Sequence, residues 1–486
     1  MFSRQLPPFS YLKIAFFFQK GAFCRGKAPF IFDQNKFISA YNDTLQESIT
    51  SVIDPVKLSK LARENGFLQR QSKLKPEEFV DTLISSGFDH SQLSLQECCN
   101  DLAQQHHKSL SKVALHNRFN ENSLKFLKSI LAGQITSRLH IGEAGTLQPF
   151  TKVLIADSSK FSIPAQYTKD YPGFGGWKNG SALMNIQYAF DLKEGNWENL
   201  ELTKATQNDQ SHSKRTLNDI KSGELHIRDL GFVTMGYLTR IVSEKAFFLN
   251  RLHPQFKTVQ CNTGKAIDWT KLYQKAQDNR YAHFTTNVVI GTGKEAFECR
   301  LIAVPVADKV WSERIRKAEK HAKSKGVSLS KEYKERCRFS LFITNVEEQI
   351  LKAVDVIRVY RLRWQIELVF KTWKSLLGIQ KVKAVNKTRF ECQLIARFIW
   401  ILMNWKIFKC LDMFIQENSP GYACSMWKFF KQARAFGHAL RRVYNGSFNF
   451  KDWSEMFIFP IVNRLLIEPK KGKKAAFQIA NEIFIP

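Results

Sequence analysis

Residues 360 to 374 read Tyr360-Arg361-Leu362-Arg363-Trp364-Gln365-Ile366-Glu367-Leu368-Val369-Phe370-Lys371-Thr372-Trp373-Lys374. At about 100° per residue, Tyr360, Arg363, Glu367, Lys371 and Lys374 share one helical arc about 80° wide. Val359, Leu362, Ile366, Val369 and Trp373 gather on the other side. The stretch predicts one long helix, from about 346 to 377, with an apolar stripe for a neighbouring layer. Its polar face holds one carboxylate, three cations and a phenol. Pairs such as Glu367 with Lys371 account for part of that face. The cations outnumber the carboxylate over more than two turns, so the surplus needs an outside anion, and a phosphate backbone fits.

Working outward, Lys152-Val153-Leu154-Ile155-Ala156 followed by Asp157 predicts a strand buried on both faces with a carboxylate at its end. Ile186, Tyr188, Phe190 and Leu192 alternate with other residues, and Glu194-Gly195-Asn196 turns the chain into Trp197 to Leu202, a hairpin. A polar helix from about 211 to 221 is closed by Gly223. A strand from Glu224 to Arg228 delivers Asp229, and a helix (233–244) and a strand (246–252) follow. The order β-β-β-α-β-α-β predicts an α/β, ribonuclease H-like mixed-sheet core over 147–253, with acids at neighbouring strand ends able to hold a metal.

Residues 254–338 interrupt this plan. They hold strands at Phe284 to Ile290 and Phe297 to Pro305 and a charged stretch from Trp311 to Arg338, and predict a mostly β insertion. The core resumes over 339–390 with a strand from Phe339 to Thr344 and the helix quoted above. The flanks are expected to be helical, with 41–146 before the core and 391–486 after it, and residues 1–40 form an extension with no assigned function. Within the first flank Ser94-Leu95-Gln96-Glu97 spells a capping box. Helices at about Leu95 to Gln105 and Leu110 to Phe119 resemble a helix-turn-helix whose second member carries Lys112, His116, Asn117 and Arg118, donors suited to phosphates and base edges. A plain packed helical pair has the same pattern. The end cluster Lys470-Lys471-Gly472-Lys473-Lys474 reads, on its own, as a solvated tail.

The 486 residues carry 73 Lys and Arg against 44 Asp and Glu, a formal charge of +29, which attracts polyanions. With 44% hydrophobic residues the chain is not disordered as a whole. The apolar run Tyr11 to Phe18 is short and broken by Lys13, which argues against a membrane span or secretory signal, so a soluble protein is expected. Nine scattered cysteines without a Cys-x-x-Cys pair point to reduced thiols, and His106-His107 lacks a second ligand pair at zinc spacing.

The spacing Tyr360-x2-Arg363-x3-Glu367-x6-Lys374 resembles the Tyr-Arg-Glu-Lys signature of insertion-sequence DDE transposases of the "IS four" family. The flanking Arg363-Trp364-Gln365-Ile366-Glu367-Leu368-x-Phe370-Lys371 matches it closely. The resemblance extends over about residues 45 to 400. It includes Ala62-Arg63-Glu64-Asn65-Gly66-Phe67, Asp157-Ser158-Ser159 and Asp229-Leu230-Gly231-Phe232, where Leu230 replaces the family's more usual Arg.

The resemblance implies a catalytic triad of Asp157, Asp229 and Glu367 holding two Mg²⁺ ions, with Mn²⁺ as a substitute. Asp191, Asp209 and Asp219 compete with Asp229 for the second position. Arg363 and Lys374 would grip phosphates and Tyr360 the terminal backbone, while Lys371 either joins them or only pairs within its helix. Trp269 or Trp311 of the insertion would stack on a flipped base, if either is more than a core residue. The implied activity is cut-and-paste transposition by a homodimer on double-stranded DNA, with terminal inverted repeats and target as substrates. The rival expectations are an inactive DNA-binding descendant and a ribonuclease H-like nuclease without transposition.

Overall fold

The computed structural model describes residues 30–85, 93–137, 150–174, 181–207, 209–252, 258–261, 263–278, 282–291, 293–468 and 478. Its framework is one mixed sheet of nine strands: β1 (Lys152–Ile163), β2 (Ala182–Asp191), β3 (Trp197–Lys204), β4 (Glu224–Arg228), β5 (Phe247–Arg251), β6 (Thr258–Gln260), β7 (Phe284–Ile290), β8 (Phe297–Pro305) and β9 (Phe339–Thr344). Their spatial order is β3-β2-β1-β4-β5-β9-β8-β7-β6. β4 runs parallel to both β1 and β5, and all other neighbours are antiparallel. The stretch β3-β2-β1-β4-β5 is the ribonuclease H-like arrangement the element order predicts. Gly195 makes the β2–β3 turn at φ +66, where a side chain would be strained.

β1 is longer than expected, so Asp157 lies within it instead of closing it. β4 accompanies β1 only from Lys152 to Ala156, whereas β2 follows it to Ile163. The apolar run therefore ends where the strand loses its second neighbour, and Ser158, Ser159 and Lys160 continue it half-buried.

The first flank contains α1 (Gln34–Thr50), α2 (Pro55–Glu64), α3 (Pro76–Ser85), α4 (Leu95–His106), α5 (Lys112–His116) and α6 (Glu121–Thr136). The expected extension gives way to α1 before residue 40, with Phe37 in the core and Phe32 packed on Phe414 and Phe459. Residues 1–29, the Lys470 to Lys474 cluster and the expected boundary at 146–147 lie outside the described residues. α7 (Asp209–Arg215) and α8 (Met235–Ser243) belong to the core. α9 (Trp269–Asp278), α10 (Asp308–Lys323) and α11 (Lys331–Arg336) belong to the insertion, whose strands extend the core sheet through β8 and β9. The insertion thus carries helices the β expectation left out, because the charged stretch after Trp311 pairs its charges along helices.

The single long helix expected from 346 to 377 is two, α12 (Ala353–Leu362) and α13 (Trp364–Ser375), joined at Arg363. There the backbone tightens to i+3 bonds, Arg363 N to Tyr360 O at 3.2 Å and Ile366 N to Arg363 O at 3.2 Å. Beyond them come α14 (Lys387–Asn418), α15 (Met426–Ala433), α16 (Gly437–Tyr444), α17 (Phe450–Phe457) and α18 (Val462–Leu465). α14 is buried on every side from Phe390 to Leu411, as an apolar helix without amphipathic period should be. α1, α3, α6 and α15 surround it, so the two helical flanks fold as one layer and share a core with β1, β2 and β3. Arg441 of α16 locks that layer, reaching Asp81 of α3 at 2.7 Å and Asp101 of α4 at 2.6 Å.

Candidate active site

The parallel ladder ends at Ala156 opposite Arg228. Asp157 and Asp229 are each the next residue, and so emerge side by side from adjacent strands. Asp157 accepts a bond from its neighbour Ser158 N at 2.8 Å and from Arg363 Nη1 at 2.8 Å. The other guanidinium nitrogen, Nη2, donates to Glu367 at 2.6 Å. Tyr360 donates its phenol to Asp229 at 3.3 Å and packs edge-on against Phe342 of β9. α12 and α13 hold these groups in place because Val359, Leu362, Ile366, Val369 and Trp373 are buried beneath, with Trp373 against Tyr188 of β2.

The electrostatics are unbalanced. Burial pushes the Asp157 carboxyl up to about 7; Arg363 opposes this, but Asp229 and Glu367 reinforce it. Burial alone would lower Arg363, yet Asp229 and Asp157 outweigh it and hold the guanidinium firmly protonated. Burial and Asp229 raise the Tyr360 phenol, which keeps it a donor. Three carboxylates thus surround one fixed cation.

Lys374 does not point outward with the other cations. It donates to the Lys160 carbonyl of β1 at 2.7 Å, and burial lowers its pKa. Lys371 is exposed, with its amine over the Trp427 ring at 5.2 Å, while Glu367 pairs with Arg363. Two of the competing acids sit elsewhere: Asp191 caps the opposite end of β1 through Val153 N at 3.0 Å, and Asp219 is exposed in the approach to β4. Asp209 lies beside the site, next to Gly231 and accepting a bond at 3.1 Å from Gln187, the β2 residue opposite Ser158.

The expected helix-turn-helix is only partly realised. The capping box at Ser94 and Glu97 starts α4 as expected, but Ser111 caps a second helix of five residues instead of one spanning Leu110 to Phe119. Lys112, His116 and Asn117 are exposed, and Arg118 is bonded to Ser72. Trp269 is buried under Arg336, and Trp311 is held by Lys334 O and covered by Arg338. Both are packed within the insertion. Trp364, which sequence reasoning passed over, is 44% exposed beside Arg363. Its helical angle, about 40° on the earlier count, places it at the rim of the polar arc.

Adjacent acids on parallel strands, faced by a helix that supplies a third acid, suit metal-assisted phosphoryl transfer, and the comparisons define the class as a DDE transposase. The family model described as "Transposase DDE domain" matches residues 148–403, more than half of the chain, and the chain belongs to this family. It is 28% identical over 462 residues to the transposase for insertion sequence element IS1151 of Clostridium perfringens, covering 90% of this chain and 95% of that one. It is 27% identical over 391 residues to the transposase for IS231B of Bacillus thuringiensis subsp. berliner, covering 76% and 81%. The putative transposase InsL for IS186A of Escherichia coli K12 is 26% identical over 385 residues, covering 78% and 95%. The chain is therefore an insertion-sequence DNA transposase. Among the described residues, no helix is long and apolar enough to cross a membrane.

Proposed function

We propose that the chain performs cut-and-paste transposition. It would bind the terminal inverted repeats of its element, hydrolyse a strand to expose a 3′-hydroxyl, and join that end to double-stranded target DNA. Two copies would pair two ends in a synaptic homodimer acting in the cytoplasm on nucleoid DNA. The observation that carries this reading is the convergence of Asp157, Asp229 and Glu367 around Arg363, with Asp157 driven up by burial and then by Asp229 and Glu367.

The donor set suits Mg²⁺, with Mn²⁺ as a substitute, because the three acids offer hard oxygens and a negative surplus that one guanidinium leaves uncompensated. Among the described residues no three ligand side chains are gathered tightly enough to hold an ion as they stand. Asp157, Asp229 and Glu367 would hold two ions once Arg363 releases at least one of its carboxylates. Bound there, the pair would supply an activated water or 3′-hydroxyl and stabilise the leaving oxygen of an in-line displacement. Arg363 has a natural second partner in the scissile phosphate, which its planar fork can engage bidentately. Tyr360 keeps Asp229 oriented, and the Ser158 amide does the same for Asp157. Lys371 would contact the backbone at the rim and Lys374 would steady β1 beside it. Lys112, Asn117 and Arg118 would meet the ends from the helical layer.

The test is Glu367→Gln, assayed for binding and for cleavage of the repeats that border the gene. End binding is retained and cleavage falls at least 10³-fold, about 4 kcal/mol of barrier. Wild-type cleavage by this variant contradicts the assignment. Cleavage by the wild-type chain without strand joining would favour a nuclease, and binding without cleavage an inactive descendant.

A further inference from the structure

α10 carries more charge than its neighbours can neutralise. On a helical count Lys309, Arg316, Lys320 and Lys323 fall within about 60° of one another, and the stripe runs about 21 Å along the axis. All four are exposed; Lys309 and Arg316 feel the charge of Glu313, but none of the four makes an ion pair or side-chain hydrogen bond among the described residues. The acids of the same helix are already engaged: Glu313 with Lys317, Glu319 with Lys334, and Asp308 with Tyr273 and Arg338. Self-neutralisation along α10 has therefore consumed the acids and left one row of four cations facing solvent.

The placement of the row gives it a purpose. β8 runs in the same direction as β5, and α10 starts three residues after β8 ends, so it rises from the end of the sheet that bears Asp157 and Asp229. From β4 to β8 is three strand spacings, roughly 14 Å. Arg314 fixes the helix there through the carbonyls of Cys337 (3.1 Å) and Phe339 (2.8 Å) and the Ser340 hydroxyl (2.9 Å). Arg251 lies within Coulombic reach of both Arg314 and Tyr360, so positive charge continues from the acids to α10. The helical layer meets the sheet toward its other edge, through α6 on β3 and Trp405 on Phe190 of β2 and Trp197 of β3.

We propose that the α10 stripe binds the phosphate backbone of the flanking donor duplex, the DNA that continues past the scissile phosphate away from the element. This rests on the function proposed above, in which the element's end is engaged from α12, α13 and the helical layer. DNA beyond the end has no fixed sequence, and a row of flexible cations supplies sequence-independent phosphate contacts.

The test compares the wild-type chain with the variant Lys309→Gln/Arg316→Gln/Lys320→Gln/Lys323→Gln on two duplexes. One carries the terminal repeat with 20 base pairs of flank and the other the repeat alone, pre-cut at the scissile position. Because all four side chains are exposed, the fold is expected to persist, and circular dichroism checks it. The expected result is a 10-fold or larger loss of affinity for the flanked duplex at moderate salt. The slope of log K against log salt should fall by about 0.9 per lost contact, and binding of the pre-cut end should be unchanged. Equal loss on both duplexes would place α10 on the element's end, and loss confined to joining of the pre-cut end into a plasmid would place it on target DNA. Either result overturns the flank assignment, as does no loss at all. If the wild-type chain binds and cuts the repeat while the variant matches it throughout, only this inference falls. If the wild-type chain binds neither duplex, the function itself is wrong and the inference falls with it.

Discussion

Two arginines in this molecule each bridge two carboxylates, and they do opposite things. Arg441 is buried in the helical layer with Asp81 and Asp101, and His106 adds a bond to Asp81 at 2.7 Å. Burial pushes Asp81 up, but hydrogen bonds from His106 and Arg441 more than offset that, and its carboxyl stays below the ordinary value. Arg363 also holds two acids, yet burial, reinforced by a third acid, leaves Asp157 at about 7. The first cluster sets only two acids against its guanidinium and is closed by hydrogen bonds from Arg441 and His106, which suits a clamp joining α3, α4 and α16. The second holds one acid too many at the open end of a parallel ladder. The motif is the same in both, and the third acid separates the scaffold clamp from the proposed reactive centre.

Four substitutions can break or sharpen this contrast. Arg441→Met should cost about 3 to 5 kcal/mol of stability, because it strands Asp81 without its cation. A variant melting at the wild-type temperature would show that the clamp carries no load. Arg363→Met should leave the melting temperature near wild type while slowing cleavage about 100-fold, roughly 3 kcal/mol of barrier; unfolding in place of slow cutting would make the two clusters equivalent. Lys406, buried with Ser48 and Gln134 as partners, is lowered to about 8 by burial and then by Lys409. Between about pH 8 and 10.5 the unfolded chain keeps a proton on this amine that the folded chain has shed. Stability contributed by this site therefore rises with pH across that window, by up to about 2 kcal/mol, and is at its lowest below pH 8. Lys406→Met should flatten that rise in thermal melts recorded from pH 8 to 10. Tyr360→Phe removes one hydrogen bond from Asp229 and should slow cleavage about 3- to 10-fold, near 1 kcal/mol, with the stability unchanged.

The legible parts of the fold were those written in local pattern. β4 and β9 have the bounds expected, Glu224–Arg228 and Phe339–Thr344, and the Gly195 turn between β2 and β3 is the one its residues spell. Asp229 was distinguishable from its rivals only through register, since what matters is that it follows Arg228 opposite Ala156. Other features depended on distant partners. The break at Arg363 has no Pro or Gly to announce it, and β1 overruns Asp157 because β2 supports it further than β4 does. Asp81 and Arg441 are 360 residues apart, so no periodicity could join the two helical flanks into one layer. The helical arc placed Tyr360, Arg363 and Glu367 together correctly. It could not show that Arg363 turns to the acids, because that choice belongs to the strand ends it faces.

If Asp157, Asp229 and Glu367 act as one metal-holding site, a crystal of the chain soaked in Mn²⁺ and measured at the manganese edge will show it. The expected result is anomalous density within about 2.5 Å of carboxylate oxygens from all three residues, with Arg363 withdrawn from Asp157. Density gathered instead by Asp191, Asp209 or Asp219, or a cleavage-competent chain that binds manganese nowhere near the ends of β1 and β4, would contradict it.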